Sequence, residues 1–169
     1  MKRHSGFTLI ELMITLAVLA IVLGIAMPAI SDFAIKQRVS SKTNEMMLSL
    51  AFARSEALKL NRDVRVMPST GSAAGWSDGW CVGPATINNC NHAEVVRVFS
   101  PANGVSITSS GIANPPILVF RRDGTTPQGN AALAITSPNL NATGSSARCI
   151  TLNPQGRAEV RKVTRDNGC

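Results

Sequence analysis

Aromatic residues and histidine are scarce in this sequence. It contains no tyrosine, and aromatic residues make up 4% of the chain. Beyond His4 the only histidine is His92, so a Ser-His-Asp or Cys-His catalytic arrangement has no partner set. No GxxxxGK[ST] loop is present, no GxGxxG follows a strand, and the acidic residues show no paired-carboxylate pattern. We therefore predict no catalytic residue, no cofactor and no metal site.

Cysteine is absent from the first 80 residues, and the four that follow are Cys81, Cys90, Cys149 and Cys169. They form no CxxC pair, and their spacing suits a zinc site poorly. Four cysteines allow three pairings. The local one, Cys81 with Cys90 and Cys149 with Cys169, would contribute roughly 3 kcal/mol per bridge in the loop-entropy model. Disulfides imply export to an oxidising compartment; buried reduced thiols are the alternative.

Acidic residues are outnumbered by basic ones. The chain has 17 Lys and Arg against 10 Asp and Glu, for a net charge of +7, and twelve of the basic residues are arginine. This balance is compatible with nucleic acid, anionic lipid or acidic partners and selects none of them.

The first 30 residues carry a long apolar run behind a charged tip, interrupted early by Glu11. One interpretation is a cleaved secretory signal with its site near Gly24-Ile25-Ala26, but the apolar run is too long for such a signal. A second is a plain membrane anchor, since Phe7 to Ile30 can cross a hydrocarbon layer of ~30 Å with its basic end in the cytoplasm. Neither explains Glu11, because an ionisable residue near the middle of a span costs about 3 kcal/mol.

The stretch GFTLIEL, from Gly6 to Leu12, resembles the class III signal of type IV pilins and type II secretion pseudopilins. That resemblance implies that a prepilin peptidase on the cytoplasmic side cuts after Gly6 and N-methylates the new first residue, Phe7. Residues 1–6 would then be a leader peptide.

The resemblance also assigns residues 7–30 to a transmembrane and assembly helix that bends at Pro28. Cleavage would create an ammonium at Phe7, with which Glu11 of the same or a neighbouring chain can pair. Because an unpaired charge inside an apolar bundle is heavily penalised, such a pair would set the register of assembly.

Residues 31–60 are polar with an apolar stripe. Its members recur at spacings of three, four and seven: Val39, Met46, Leu50, Ala53, Ala57 and Leu60. This period is typical of an amphipathic helix. We therefore predict one helix from about Phe7 to Leu60, with Pro28 as the position at which it can kink.

From Asn61 to Cys169 the helical period gives way to short β-leaning runs. They are DVRVM, GWCVG, EVVRVF, GVSIT, ILVFR, AALAI, RCITL and AEVRKV. Turn-forming stretches separate them, which predicts an antiparallel sheet or sandwich for residues 61–169. RDG before Thr125 and NPQG before Arg157 predict tight hairpins.

Stretches of the second part resemble the GspH/FimT branch of minor pilins and pseudopilins. They are LAFARSEALKLNRDVRV, GWSDGW, VFRRDGTTPQG and RCITLNPQGRAEVRKVTRDNGC. The resemblance implies a pilin-like α+β fold, in which a long N-terminal helix, membrane-spanning in its first half, packs on a β-rich head.

The function that the resemblance implies is that of a minor type IV pilin of FimU/FimT type in the priming or tip complex of a pilus. Its partners would be the prepilin peptidase, the inner membrane, and other major and minor pilins. It would cross the inner membrane once, with its head in the periplasm, and then join the pilus at the cell surface. The alternatives are a minor pseudopilin of a type II secretion system, a DNA-binding minor pilin of natural transformation, and an unrelated secreted enzyme with a long signal.

Four basic residues near the C-terminus are candidates for contact with DNA or with a partner: Arg157, Arg161, Lys162 and Arg165. On a strand, Arg157, Glu159 and Arg161 share one face. Competence-type FimT pilins, which capture DNA, carry a Gly-Arg-x-Arg stretch here, but this chain has Glu159 in place of the second arginine. Arginines could still neutralise phosphates without reading sequence. The alternative is an ion-paired surface strand or a docking face for another subunit.

Overall fold

A computed structural model describes residues 7–101 and 103–169, with side chains except those of residues 25–29. The chain forms two compact units, Met1–Ala34 and Ile35–Cys169, which we call the N-terminal unit and the head unit. The fold is α+β, as predicted.

Helix α1 extends from Leu9 to Leu60 over 52 residues, close to the predicted bounds. It begins two residues after Phe7 because Thr8 caps its first turn. Pro28 lies within α1, and the bend proposed there stays a prediction. Within the described ranges, no helix combines the length and the apolar character that crossing a membrane requires.

Each of the eight β-leaning runs overlaps one strand. The strands are β1 (Val64–Pro68), β2 (Trp80–Pro84), β3 (Arg97–Phe99), β4 (Ser106–Ser110), β5 (Leu118–Phe120), β6 (Ala131–Thr136), β7 (Ala147–Leu152) and β8 (Ala158–Val163). Sheet 1 has the order β3-β2-β1-β5 and sheet 2 the order β4-β6-β7-β8, and all neighbours are antiparallel. A 3₁₀ helix, Gly75–Asp78, precedes β2.

One hydrophobic core joins the α1 segment of the head unit to both sheets. The buried members of the predicted helix stripe are Val39, Met46, Leu50, Ala53 and Ala57. They share the core with Trp80 and Phe120 of sheet 1 and with Leu133 and Ile150 of sheet 2. The prediction that Leu60 belongs to the buried stripe is wrong: Leu60 is 41% exposed and is the last residue of α1.

The NPQG stretch forms a tight hairpin between β7 and β8, as predicted. Gly156 N–H donates to Asn153 O (2.9 Å), and Asn153 N–H donates to Arg157 O (3.1 Å). Gly156 adopts a positive φ of 72°, a conformation that favours glycine.

The RDG stretch forms the predicted tight turn, closed by Gly124 N–H to Arg121 O (2.8 Å) and Arg121 N–H to Thr125 O (2.8 Å), but it joins no pair of strands. Asp123 Oδ1 accepts hydrogen bonds from the Thr125 N–H (2.9 Å) and hydroxyl (2.6 Å), and these bonds lower the pKa of Asp123. No strand then returns along β5, because Thr126 N–H donates to Pro154 O of the NPQG turn. The chain continues from there into β6 of sheet 2.

Both disulfides follow the local pairing, Cys81–Cys90 and Cys149–Cys169. Cys81 alternates along β2 with core residues and packs in a satellite cluster with Met67 and Ile87. Cys149 alternates with the core residue Ile150 in the same way. Each bridge therefore ties a segment to the face of a sheet that points away from the core.

Candidate assembly and contact surfaces

The N-terminal unit exposes a large set of apolar side chains. Phe7 is 85% exposed, and the exposed set continues along the helix with Leu9, Ile10, Leu12, Met13, Ile14, Leu16, Val18, Leu19, Ile21, Val22, Leu23, Ile30 and Phe33. Soluble monomers rarely leave so much contiguous apolar surface in water. This unit is therefore built to be covered by other apolar groups.

Glu11 and Thr8 form a capping box at the start of α1. Glu11 N–H donates to Thr8 Oγ1 (3.3 Å), while Thr8 N–H and Oγ1–H donate to Glu11 Oε2 at 3.3 and 3.4 Å. Two backbone donors that have no partner within the helix are satisfied in this way. This capping role was not predicted, although its signal, a threonine followed three residues later by a glutamate, lies in the GFTLIEL stretch itself.

Phe7 directly precedes the capping residue Thr8, so Phe7 lies just before the N-terminus of α1. Gly6, the other residue of the predicted cleavage site, lies outside the described residues, as does the side chain of Pro28. Cleavage after Gly6, methylation of Phe7 and the bend at Pro28 therefore stay predictions.

The basic residues of β8 lie on two faces of the strand. Arg157 Nε is 3.5 Å from Glu159 Oε1, and both side chains are mostly exposed. Within β8, Arg161 stands opposite Cys149, and Lys162 stands opposite Arg148. Because neighbouring strand residues point to opposite faces, Arg161 and Lys162 cannot converge on one ligand group.

Arg165 is engaged with the chain itself. Its Nε donates to Asp166 Oδ1 (2.8 Å), and its Nη1 donates to the carbonyls of Pro138 (3.2 Å) and Leu140 (3.0 Å). Leu140 is buried in the core. Arg165 therefore joins the loop that contains Pro138 and Leu140 to the C-terminal segment by hydrogen bonds. Of the four candidate contact residues, Arg157 is ion-paired and Arg165 is hydrogen-bonded to the loop. The other two, Arg161 and Lys162, are exposed on opposite faces of β8.

No candidate metal-binding site is present in the part of the chain that the structure describes. There, no three His, Cys, Asp or Glu side chains come together as metal ligands.

Two protein-family models match the chain. The model described as "Type II transport protein GspH" matches residues 42–156, and the "Prokaryotic N-terminal methylation motif" matches residues 1–27. Fimbrial protein EcpC of Eikenella corrodens is 34% identical over 114 residues, which cover 65% of this chain and 67% of that protein.

Two solved structures share the fold. The type IV minor pilin FimU of Pseudomonas aeruginosa has a TM-score of 0.60 at 19% identity, covering 81% of this chain and 96% of that one. The minor pseudopilin EpsH from the type 2 secretion system of Vibrio cholerae has a TM-score of 0.54 at 12% identity, covering 74% and 97%. At these identities the likeness concerns the fold alone.

Proposed function

Because the chain belongs to the GspH family of minor pilins and pseudopilins and carries the N-terminal methylation motif, we propose that it is a minor type IV pilin of the priming or tip complex of a pilus. The family consists of structural pilin subunits rather than enzymes. Membership implies processing by a prepilin peptidase and contact with other pilins.

In the proposed pathway the protein is made as a prepilin and held in the inner membrane by residues 7–30, with the head unit in the periplasm. The peptidase removes residues 1–6 and methylates Phe7, and the subunit then enters the pilus. Two observations support this order. The exposed apolar side chains of the N-terminal unit need an apolar environment before and after assembly, and the disulfides of the head unit suit an oxidising compartment.

Glu11 would act in two steps. Before assembly, its carboxylate accepts from Thr8 and holds the first turn of α1. Cleavage creates an ammonium at Phe7, one residue before Thr8, and methylation keeps its charge. In an apolar bundle of helices this ammonium and a Glu11 carboxylate, from the same or a neighbouring subunit, stabilise each other, because either charge alone is heavily penalised there.

The observation that carries the proposal is the exposed apolar run of the N-terminal unit, in which the single acidic residue between Phe7 and Ile30, Glu11, caps the helix beside Phe7. Mass analysis of the mature protein from its native host tests it. We expect a chain that begins at N-methylated Phe7, and a Gly6→Val control that stays unprocessed. A chain that begins near Met27 would show an ordinary secretory signal and overturn the proposal.

A minor pseudopilin of a type II secretion system is the second candidate. The description of the matched family model and the likeness to EpsH favour it, and the assembly chemistry would be the same. Deletion of the gene separates the two: loss of surface pili with normal protein secretion supports the pilin, and loss of secretion with normal pili supports the pseudopilin.

A further inference from the structure

An open groove of about 830 Å³ lies in the head unit, between α1 and the edge strand β3. We call it the β3 groove. The residues that matter for its chemistry are Glu45, Leu48 and Phe52 from α1, and Arg97, Val98 and Phe99 from β3. Leu48 is 69% exposed and Val98 is 60% exposed, so water covers apolar groups on both walls.

One wall is the outermost strand of sheet 1, and no other described strand pairs with its free edge. Such an edge presents unpaired backbone N–H and C=O groups, which other chains can use for pairing. The two edges of sheet 2 are polar: β4 reads SITSS, and the outer residues of β8 include Glu159, Arg161 and Lys162. At the far edge of sheet 1, Leu118 and Phe120 of β5 are buried. The edge at β3 combines an exposed valine, Val98, with an open groove, whereas the exposed valine of β8, Val160, stands among charged residues.

The groove also holds a cation without an anionic partner. The Arg97 guanidinium lies 5.9 Å from the centre of the Phe52 ring and 5.2 Å from that of Phe99. Among the described residues no carboxylate forms an ion pair with it. Glu45, the acidic residue of the groove, is already paired with Lys42 at 2.6 Å. A group that enters the groove therefore meets apolar walls and one unpaired positive charge.

We propose that the β3 groove docks an extended, acidic segment from the head of another pilin subunit, which adds to sheet 1 as a strand beside β3. Backbone hydrogen bonds to the free edge supply affinity, and alternating side chains supply specificity. One side chain, an Asp or Glu, pairs with Arg97, and its apolar neighbours cover Leu48 and Val98. This inference rests on the proposed function, since it names the partner contact of a pilus subunit.

Site-specific photocrosslinking of the full-length protein in its native host tests the docking. A photoreactive residue replaces Val98 on β3 or, as a matched control, Val160 on β8, which is 49% exposed. We expect Val98 to crosslink to an extended head segment of another pilin that contains Asp or Glu, with the attachment point mapped by mass spectrometry. Arg97→Glu should lower the yield by more than about tenfold, and changing the mapped acid to Arg should restore it.

Three outcomes would each overturn the inference: a Val98 yield no higher than that of Val160, attachment to the apolar helix of a pilin, or an unchanged yield with Arg97→Glu. Thermal unfolding of each variant checks that the head unit is intact, and Val98→Thr gives a milder second variant. Failure of the proposed function is recognised separately, because a mature chain that begins near Met27 contradicts the pilin assignment whatever the crosslinks show.

Discussion

Trp80 illustrates how single polar atoms are accommodated inside the head unit. Its indole N–H donates to Ser49 Oγ at 3.0 Å, and the Ser49 hydroxyl donates to Met46 O at 2.8 Å. Trp80 also stacks on Phe99 with ring centres 5.2 Å apart. A buried serine thereby fixes the tryptophan that connects α1 to β3.

Ser49→Ala should destabilise the protein by about 1–3 kcal/mol, because the indole N–H of Trp80 is left buried without an acceptor. Denaturant unfolding, followed by tryptophan fluorescence, measures the change. Ser55→Ala is the matched control: Ser55 also donates to a carbonyl of α1, that of Phe52 (2.8 Å), but it is exposed. Equal losses in the two variants would contradict this role of Ser49.

Gly156→Ala should cost about 1–3 kcal/mol of stability, since a side chain is strained at positive φ. In addition, the new Cβ would collide with Gly124 O of the RDG turn. Gly71→Ala serves as the control, because its Cβ would have no atom within 4 Å. Thermal unfolding of both variants measures the difference, and a Gly156→Ala protein as stable as the control would refute the argument.

At the scale of elements, the Cys149–Cys169 bridge holds the C-terminal segment on β7. The double variant Cys149→Ser, Cys169→Ser should lose roughly 3 kcal/mol, and trypsin should cut the released segment at Arg165 sooner. The matched variant Cys81→Ser, Cys90→Ser should lose a similar amount of stability without faster cleavage at Arg165. Limited proteolysis with mass analysis distinguishes them; identical cleavage patterns would count against the assignment.

The elements could be predicted from sequence because their signals are local. Alternating runs between turn formers identified every strand, and the apolar stripe identified the buried face of α1. Sheet order could not be predicted, because pairing joins strands distant in the chain. For the same reason the RDG stretch predicted the tight turn but not the path after it: no strand returns along β5, and Thr126 instead contacts Pro154.

The candidate surfaces show the same limit. The role of Glu11 as a cap follows from a local signal, the threonine three residues before it, whereas its cost in an apolar run predicts only a charge partner. The contacts of Arg165 could not be predicted, because its acceptors, Pro138 O and Leu140 O, lie far away in sequence. Spacing along one strand gives the face of a side chain but not the loop that packs on it.

For the whole molecule, Glu11→Gln separates helix capping from charge pairing. An amide oxygen can still cap the helix, but it cannot pair as an anion with an ammonium. We expect Glu11→Gln and Glu11→Ala both to be cleaved after Gly6, and both to enter pili at levels more than about tenfold below wild type. Immunoblots of sheared pili and of membranes measure this. Normal assembly of the Glu11→Gln protein would contradict the charge pair and would leave helix capping as the role of Glu11.

DNA capture should be weak in this protein, because Arg157 is paired with Glu159 and Arg165 is held by the chain. Of the four candidate cations, Arg161 and Lys162 form no ion pair among the described residues, but they lie on opposite faces of β8. One duplex therefore meets one of them at a time, and log K should change with log salt with a slope of about −1. The full-length protein in detergent, titrated at several salt concentrations, gives this slope. A slope steeper than about −4, abolished by Arg161→Glu, would show a phosphate-binding surface.

The Cys81–Cys90 bridge has a consequence for the edge of sheet 1. Cys81 lies in β2, next to β3, and Cys90 lies in the segment that leads into β3. The path of the chain into the edge strand is therefore restricted covalently as soon as the head is oxidised. A flexible edge strand would lose conformational entropy when it binds a partner. Here the disulfide removes part of that entropy earlier, during oxidative folding. The thiol-oxidising capacity of the compartment, rather than the arrival of a second subunit, would then decide when this edge is ready to bind.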